Sequence, residues 1–298
     1  MTLESTNIKT KDFVWTSNFN IAFNKNKILS LNYGQEEMTN YISWDTAYKG
    51  QIAYVSRVGE SAGSMYGFVY DGTYKEEDFN ISTDANGKKT YTLKDGVVSF
   101  RDGCQPGDPK YKNIDGSEDN KITDSDRTII GNGHPLHTGG FSNNFTYKNW
   151  DLNIFFQWSY GNDLLNVNRM VMENPGSKKN LNQFASYNNR WTESNPNSNM
   201  PRTNAIGANV YSSLYIEDGS YLKLKTISIG YNFLPKTLKP IGIQAARVYV
   251  SADNIATITG YSGSDPEVST RNSVLTPGFD WSAHPRSFNA SFGINVTF

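Results

Sequence analysis

A short acidic segment has the residue types and the spacing of a calcium-binding loop. Residues 115–126 place oxygen donors at positions 1, 3, 5, 7, 9 and 12 of the EF-hand pattern. These donors are Asp115, Ser117, Asp119, the carbonyl of Lys121, Thr123 and Asp126. Calcium takes six or more hard oxygen ligands around a tight turn, so the spacing predicts a structural calcium site. Because Asn120 replaces the turn glycine and Asp126 is shorter than the usual glutamate, a solvated acidic turn stays the alternative.

Four further residues are candidate substrate contacts, although each also has a structural interpretation. The indoles of Trp191 and Trp281 lie in predicted loops, where they either stack on sugar rings or pack the loops. Asn162 and Asp163 follow Gly161 directly after a predicted strand, a position that is also typical of a turn. The sequence favours the packing and turn interpretations, and it leaves the substrate unknown.

The sequence offers no set of residues suited to catalysis. Its three histidines, His134, His137 and His284, and its single cysteine, Cys104, are too few and too scattered for a catalytic or zinc site. No carboxylate pair stands out, and a β-rich glycoside hydrolase would need two placed carboxylates. We therefore predict that the chain is not an enzyme and that it holds no organic cofactor.

Composition and charge exclude several classes of protein. The 298 residues suffice for about two domains, and the aromatic content of 13%, with 18 Tyr, 16 Phe and 6 Trp, argues against intrinsic disorder. A balance of 28 Lys and Arg against 29 Asp and Glu predicts no nucleic-acid partner. Mean hydropathy is −0.58, and no apolar run approaches the roughly 18 residues of a spanning helix. This excludes a helical membrane protein, but not a β-barrel, because alternating barrel strands average to a hydrophilic value.

Alternation of apolar and polar residues predicts an all-β fold of about seven to eight antiparallel strands. The predicted strands are Phe13–Phe23 with 29–33, 141–147 with 150–160, 221–233 with a bulge near Lys225 and Thr226, 247–253, and 288–298. Short turns at 24–27, 148–149 and 234–245 alternate with long connections at 35–137, 161–213 and 255–285. A soluble sandwich also alternates. The long strands, their aromatic ends and the alternating connection lengths favour a transmembrane β-barrel, here a partial one with long extracellular loops.

Several short motifs, in this order and spacing, resemble the C-terminal part of SusC/RagA-type TonB-dependent outer-membrane transporters of the Bacteroidota. The motifs include Phe19-Asn20-Ile21, Tyr66-Gly67-Phe68, Pro106-Gly107-Asp108, Arg127-Thr128-Ile129-Ile130-Gly131-Asn132, Gly139-Gly140-Phe141, Tyr160-Gly161-Asn162-Asp163, Ile216–Leu224, Val250–Asn254 and Asp265-Pro266-Glu267. The resemblance covers essentially the whole chain. It implies a location in the cell outer membrane and the import of glycans or peptides.

The resemblance also implies partners and a domain organisation. A SusD-like lipoprotein would cap the barrel, and TonB would act through a plug in the part of the receptor that precedes this sequence. The plug, the TonB-contacting segment and a signal peptide are not in this sequence, so we expect it to be a piece of a longer chain. Residues 1–34 would form a barrel hairpin, 35–137 a long extracellular segment with the EF-hand-like loop, and 138–298 the C-terminal barrel strands and loops.

The last strand carries a second implied function. Apolar residues alternate along it to the last residue, namely Phe288, Phe292, Ile294, Val296 and Phe298. A C-terminal strand of this kind resembles the signal that the outer-membrane assembly machinery reads before the barrel enters the lipid bilayer, although it could also fill a soluble core. The competing function is a secreted, calcium-stabilised, β-rich carbohydrate-binding module.

Overall fold

Strands dominate the described part of the chain, which in this computed structural model comprises residues 1–42, 50–174, 180–271 and 273–298. The strands are β1 (Thr2–Lys9), β2 (Phe13–Phe23), β3 (Glu37–Tyr41), β4 (Ile52–Arg57), β5 (Ser64–Gly67), β6 (Tyr70–Thr73), β7 (Phe79–Thr83), β8 (Lys89–Leu93), β9 (Pro109–Tyr111), β10 (Thr128–Asn132), β11 (His137–Tyr147), β12 (Trp150–Tyr160), β13 (Asp163–Asn166), β14 (Ile216–Asp218), β15 (Tyr221–Asn232), β16 (Ala245–Thr259), β17 (Phe279–Asp280) and β18 (Asn289–Thr297). The described α-helices are α1 (Val167–Met172) and α2 (Pro235–Leu238).

No helix in these ranges is both long enough and apolar enough to cross a membrane.

Seven of the strands form one antiparallel sheet in the order β1-β2-β11-β12-β15-β16-β18. Strands β2, β11 and β12 pair in unbroken register over 11 residues. The predicted all-β class, the antiparallel pairing and the number of strands are confirmed. The hairpin predicted at 141–147 and 150–160 is also confirmed, with Lys148 in the left-handed conformation (φ 52°) that its tight turn requires.

One predicted strand is wrong. The hairpin partner of β2 is β1, which precedes it, and not residues 29–33, which form no strand. The backbone of Ile28 instead exchanges hydrogen bonds with Gly59 and Glu60, at 2.9 Å each, so this part of the chain already belongs to the long connection. Alternation missed β1 because Thr2–Lys9 carries only Leu3 and Ile8 as large apolar residues.

The predicted bulge in β15 is confirmed. Phe155 pairs with Thr226 and Phe156 with Leu224, so Lys225 is the extra residue. Strand β16 extends to Thr259, beyond the predicted end at 253. Asn254 has a positive φ of 54° and shifts the register of β16, which breaks the alternation there and hid the rest of the strand.

The long connections 24–136, 161–220 and 260–288 all leave the sheet at the same end of its strands. Their described parts pack together as a unit that we call the cap. Short connections at 10–12, 148–149 and 233–244 join the strands at their opposite ends. The short turn next to β2 is thus 10–12, whereas the predicted turn at 24–27 belongs to the first long connection. One apolar cluster of the cap joins Tyr54, Leu165 and Phe279, one residue from each long connection. The predicted segment 35–137 therefore shares its core with the other two connections.

Candidate functional site

One face of the seven-stranded sheet is mostly apolar across six of its strands. A single row of register partners crosses six strands, and its members are Trp15, Phe145, Leu152, Ile229, Val250 and Phe292. The next row along the strands faces the other way because side chains alternate. Its members are Thr16, Asn144, Asn153, Ser228, Ser251 and Ser291. The sheet thus separates an apolar face from a polar face.

Aromatic side chains lie at both ends of the apolar face. Near the short connections, Phe13, Tyr147, Trp150 and Tyr231 are consecutive register partners. Near the cap, Phe23, His137 and Tyr160 form a second row, and the His137 ring stacks on Tyr160 at 5.0 Å. At roughly 3.3 Å per residue, the two ends of β2 are about 33 Å apart. A strand tilted by about 40° projects this length to about 25 Å, the height of a barrel's lipid-facing band.

No protein segment covers the apolar face in the part of the chain that the structure describes. Within the described residues, every fully buried apolar side chain lies outside the seven sheet strands, and almost all lie in the cap. On the face itself, Phe292 is 69% exposed and Trp150 is 51% exposed. An apolar surface of this extent indicates an interaction with another apolar phase rather than with water.

Ser17 and Asn143 interrupt the apolar face, together with Ser5 and Asn7 of the neighbouring β1, and these polar side chains are hydrogen-bonded to one another there. Asn143 Oδ1 accepts a bond from Ser17 Oγ at 2.7 Å and another from Trp15 Nε1 at 3.0 Å. Such local pairing lowers the cost of placing polar groups against hydrocarbon.

The polar face carries an ion cluster where the cap folds back on it. Lys223 of β15 is 2% exposed and donates to Glu267. The Glu267 carboxylate also accepts a bond from the Tyr221 hydroxyl at 3.1 Å and forms a salt bridge with Arg286 Nε at 3.1 Å. Burial opposes ionisation of the neighbouring Asp265, but the amides of Arg286 and Glu267 and the Lys223 ammonium outweigh it and hold the pKa of Asp265 below its usual value. Lys223 could not be recognised from the sequence, because a lysine on the polar face of an alternating strand gives no sign of the distant Asp265-Pro266-Glu267 segment that it meets in the fold.

The acidic loop forms a compact turn that side-chain hydrogen bonds hold together. Ser117 Oγ and the Lys121 carbonyl both accept a bond from Asn113 Nδ2 at 3.5 Å, so Asn113 ties positions 3 and 7 of the pattern to one side chain. The amide of Lys121 and the Ser117 hydroxyl hold the pKa of Asp119 below its usual value, so this carboxylate is available as an anion.

Asp126 has a different position from the other donors. It is fully buried, and its carboxylate accepts bonds from the amides of Ile114, Asp115 and Thr123 at 2.7–3.1 Å. The described residues contain no group of three or more Asp, Glu, His or Cys side chains placed to hold a metal. The Asp126 carboxylate would have to share its oxygens with a cation, and the calcium site stays a prediction.

Comparison with known proteins agrees with the geometry of the sheet. No protein-family model matches the chain. A TonB-dependent receptor of Formosa agariphila is 33% identical over 301 residues, which is 99% of this chain and 28% of that protein. The TonB-dependent receptor SusC of Bacteroides thetaiotaomicron is 26% identical over 300 residues, 98% of this chain and 25% of that protein.

The chain is similar to TonB-dependent receptors over almost its whole length. It spans about 28% of the length of the curated receptors that it matches. A solved structure of the RagAB peptide transporter superposes with a TM-score of 0.71 at 23% identity, over all of this chain and 28% of the other. The seven-stranded sheet therefore has the fold of part of an antiparallel β-barrel, as the alternation predicted.

The candidate substrate contacts pack within the fold at different places, apart from the consecutive residues Asn162 and Asp163. Trp191 is half-buried, and its ring covers Gly107, where an added Cβ would meet Trp191 Cδ2 at 2.5 Å. Trp281 packs against the apolar cluster of the cap. Asn162 is 7% exposed and accepts a bond from Ser159 Oγ at 2.7 Å. None of these contacts joins one of the four candidates to another. The structure therefore does not bring them together as one site.

Asp163 has a similar structural contact. Its carboxylate accepts a bond from the Asn132 amide at 2.7 Å and so holds β13 against β10. Burial, with a smaller contribution from the nearby Asp218, raises the pKa of Asp163 above its usual value.

The proposed assembly residues lie on or beside the edge strand β18. Phe292, Ile294 and Val296 share the apolar face, through pairing with Val250, Val248 and Ala246. Phe288 and Phe298 flank the strand and are 61% and 80% exposed. The alternation predicted along this strand is confirmed, whereas its role as a signal stays a prediction.

Proposed function

We propose that the chain is the C-terminal part of the barrel of a TonB-dependent transporter in the cell outer membrane. The observation that supports this most directly is the uncovered apolar face of the sheet, bounded at both ends by aromatic rows about 25 Å apart in projection. A secreted carbohydrate-binding module would need to cover that face.

The positions of the connections support an orientation. Barrels of this kind have short turns on the periplasmic side and long loops on the outside. In this orientation the cap faces the medium, the short connections face the periplasm, and the polar face with its Lys223–Glu267 cluster lines the lumen.

The transported substrate and the partners are part of the same proposal. Relatives of this chain include SusC and the RagAB peptide transporter. We infer that the complete receptor imports glycans or peptides, that a SusD-like lipoprotein covers its outer opening next to the cap, and that TonB acts through the plug.

Fractionation combined with protease access tests the proposal. The full-length receptor should appear in the outer membrane. Trypsin added to intact cells should cut at Lys88 in the exposed β7–β8 turn, but not at Lys148 in a short connection. After the outer membrane is opened, Lys148 should also be cut. Recovery of the receptor in the soluble fraction would contradict the proposed function. Cleavage at Lys148 in intact cells would contradict the proposed orientation.

A further inference from the structure

The rim of the sheet at the short connections is basic. Lys11 lies in the first short connection, Lys148 in the second, and Lys236 and Lys239 in the third. All four side chains are exposed, and none forms a salt bridge within the described residues. Asp12 is the one acidic residue within these connections, so the rim carries a net positive charge.

The three connections lie side by side along the rim. Lys148 N donates to the Asp12 carbonyl at 2.8 Å, and Asn232 N donates to the Asn149 carbonyl at 2.8 Å. The lysines are therefore spread along the row of short connections at one end of the strands. We call this row the basic rim.

The basic rim directly adjoins the aromatic row of Phe13, Tyr147, Trp150 and Tyr231. Lys148 Nζ lies 5.4 Å from the centroid of the Tyr147 ring, on the apolar side of the sheet. Aromatic rings of this kind lie at headgroup level, and a lysine can extend its ammonium past them to the headgroups. The ammonium groups thus lie where lipid phosphates would be, and each cation near an anionic leaflet adds to the attraction.

We propose that the basic rim binds anionic phospholipid headgroups of the leaflet that borders the short connections. The inference rests on the proposed function, since it needs the apolar face to lie in a bilayer. It goes further by assigning a ligand class, a phosphodiester anion, to Lys11, Lys148, Lys236 and Lys239.

Lipid titration of the full-length receptor tests the proposal. Phosphatidylglycerol is added to the receptor in neutral detergent, bound lipids are counted by native mass spectrometry, and phosphatidylcholine serves as the uncharged reference. Replacing all four rim lysines by Gln should lower the apparent affinity for phosphatidylglycerol by roughly tenfold or more. Replacing them by Arg should keep it.

A matched variant separates the rim from general charge loss. Gln at the exposed cap lysines Lys27, Lys88, Lys94 and Lys112 changes the same charge on the other side of the apolar face, and should leave the affinity unchanged. Equal phosphatidylglycerol binding by wild type and the rim variant overturns the inference. So does lysine-dependent co-sedimentation with peptidoglycan while lipid binding is unaffected. Failure of the receptor to reach the outer membrane contradicts the proposed function instead, so the two failures are distinguishable.

Discussion

Lys223 and Glu267 form an ion pair that joins the sheet to the cap. Lys223 belongs to the wall strand β15, whereas Glu267 belongs to the connection between β16 and β18. Both side chains are buried, with Asp265 and Arg286 completing the cluster. The pair thus holds a segment of the cap against the polar face.

Removal of Lys223 should destabilise the receptor strongly. Lys223→Met leaves two buried carboxylates with fewer cations, and breaking a buried pair in this way costs about 3–5 kcal/mol. The destabilisation is measured as the decrease in the free energy of unfolding of the purified full-length receptor in denaturant. Lys225→Met is the control, because Lys225 is 3.9 Å from Glu267 and 23% exposed, and its loss should cost less than about 1 kcal/mol. Equal unfolding midpoints for K223M and wild type would show that the pair is not structural.

Gly107→Ala should loosen the cap. Gly107 has φ +86° and lies under the Trp191 ring, so a methyl group adds a clash to the roughly 1–2 kcal/mol cost of a left-handed conformation. Gly87→Ala is a matched control, with φ +81° and no atom within 4 Å of the added Cβ. The rate of limited proteolysis in the cap should rise clearly more for G107A than for G87A. Equal rates would mean that Trp191 does not pack on Gly107.

Calcium should bind the loop through Asp119. Asp119→Ala removes a donor at position 5 of the pattern, whereas Glu118→Ala removes an equal charge at position 4, which donates nothing in that pattern. Calorimetry of the full-length receptor should detect calcium binding in wild type and E118A but not in D119A. No heat in wild type, or a similar loss in both variants, argues for a solvated acidic turn.

Asp163→Asn should stabilise the receptor at neutral pH more than at acidic pH. The folded state raises the pKa of Asp163, so its protonated form contributes stability below about pH 4 that is lost as pH rises through the raised pKa. Asn cannot ionise and still accepts the bond from the Asn132 amide. The difference in Tm between D163N and wild type should grow from pH 4 to pH 7. Asp102→Asn, at an exposed site, is the control, and a pH-independent difference for D163N would contradict the prediction.

Deletion of Phe298 should lower insertion of the barrel. The residue extends the apolar series of β18 and is 80% exposed, so its loss removes little packing within the chain. The yield of full-length receptor in the outer membrane measures insertion, and deletion of the exposed Asn86 in a cap turn controls for expression. A normal membrane yield without Phe298 would count against the assembly signal.

The sequence alone determined the wall of the barrel, because alternation is a local property of each strand. Strands 141–147 and 150–160, the bulge at Lys225 and the apolar series of the last strand all follow from it. The same rule failed at β1, whose apolar residues are too few, and beyond Asp253, where Asn254 shifts the register.

Only the tertiary structure decided which residues meet across long sequence separations. It joined Tyr54, Leu165 and Phe279 into one cap core, placed Trp191 on Gly107, and buried Lys223 between two carboxylates of a distant connection. None of these contacts leaves a periodic signal in the sequence, since each depends on where three long connections converge at one end of the sheet strands. Most strands of the seven-stranded sheet were therefore readable from the chain, and the cap was not.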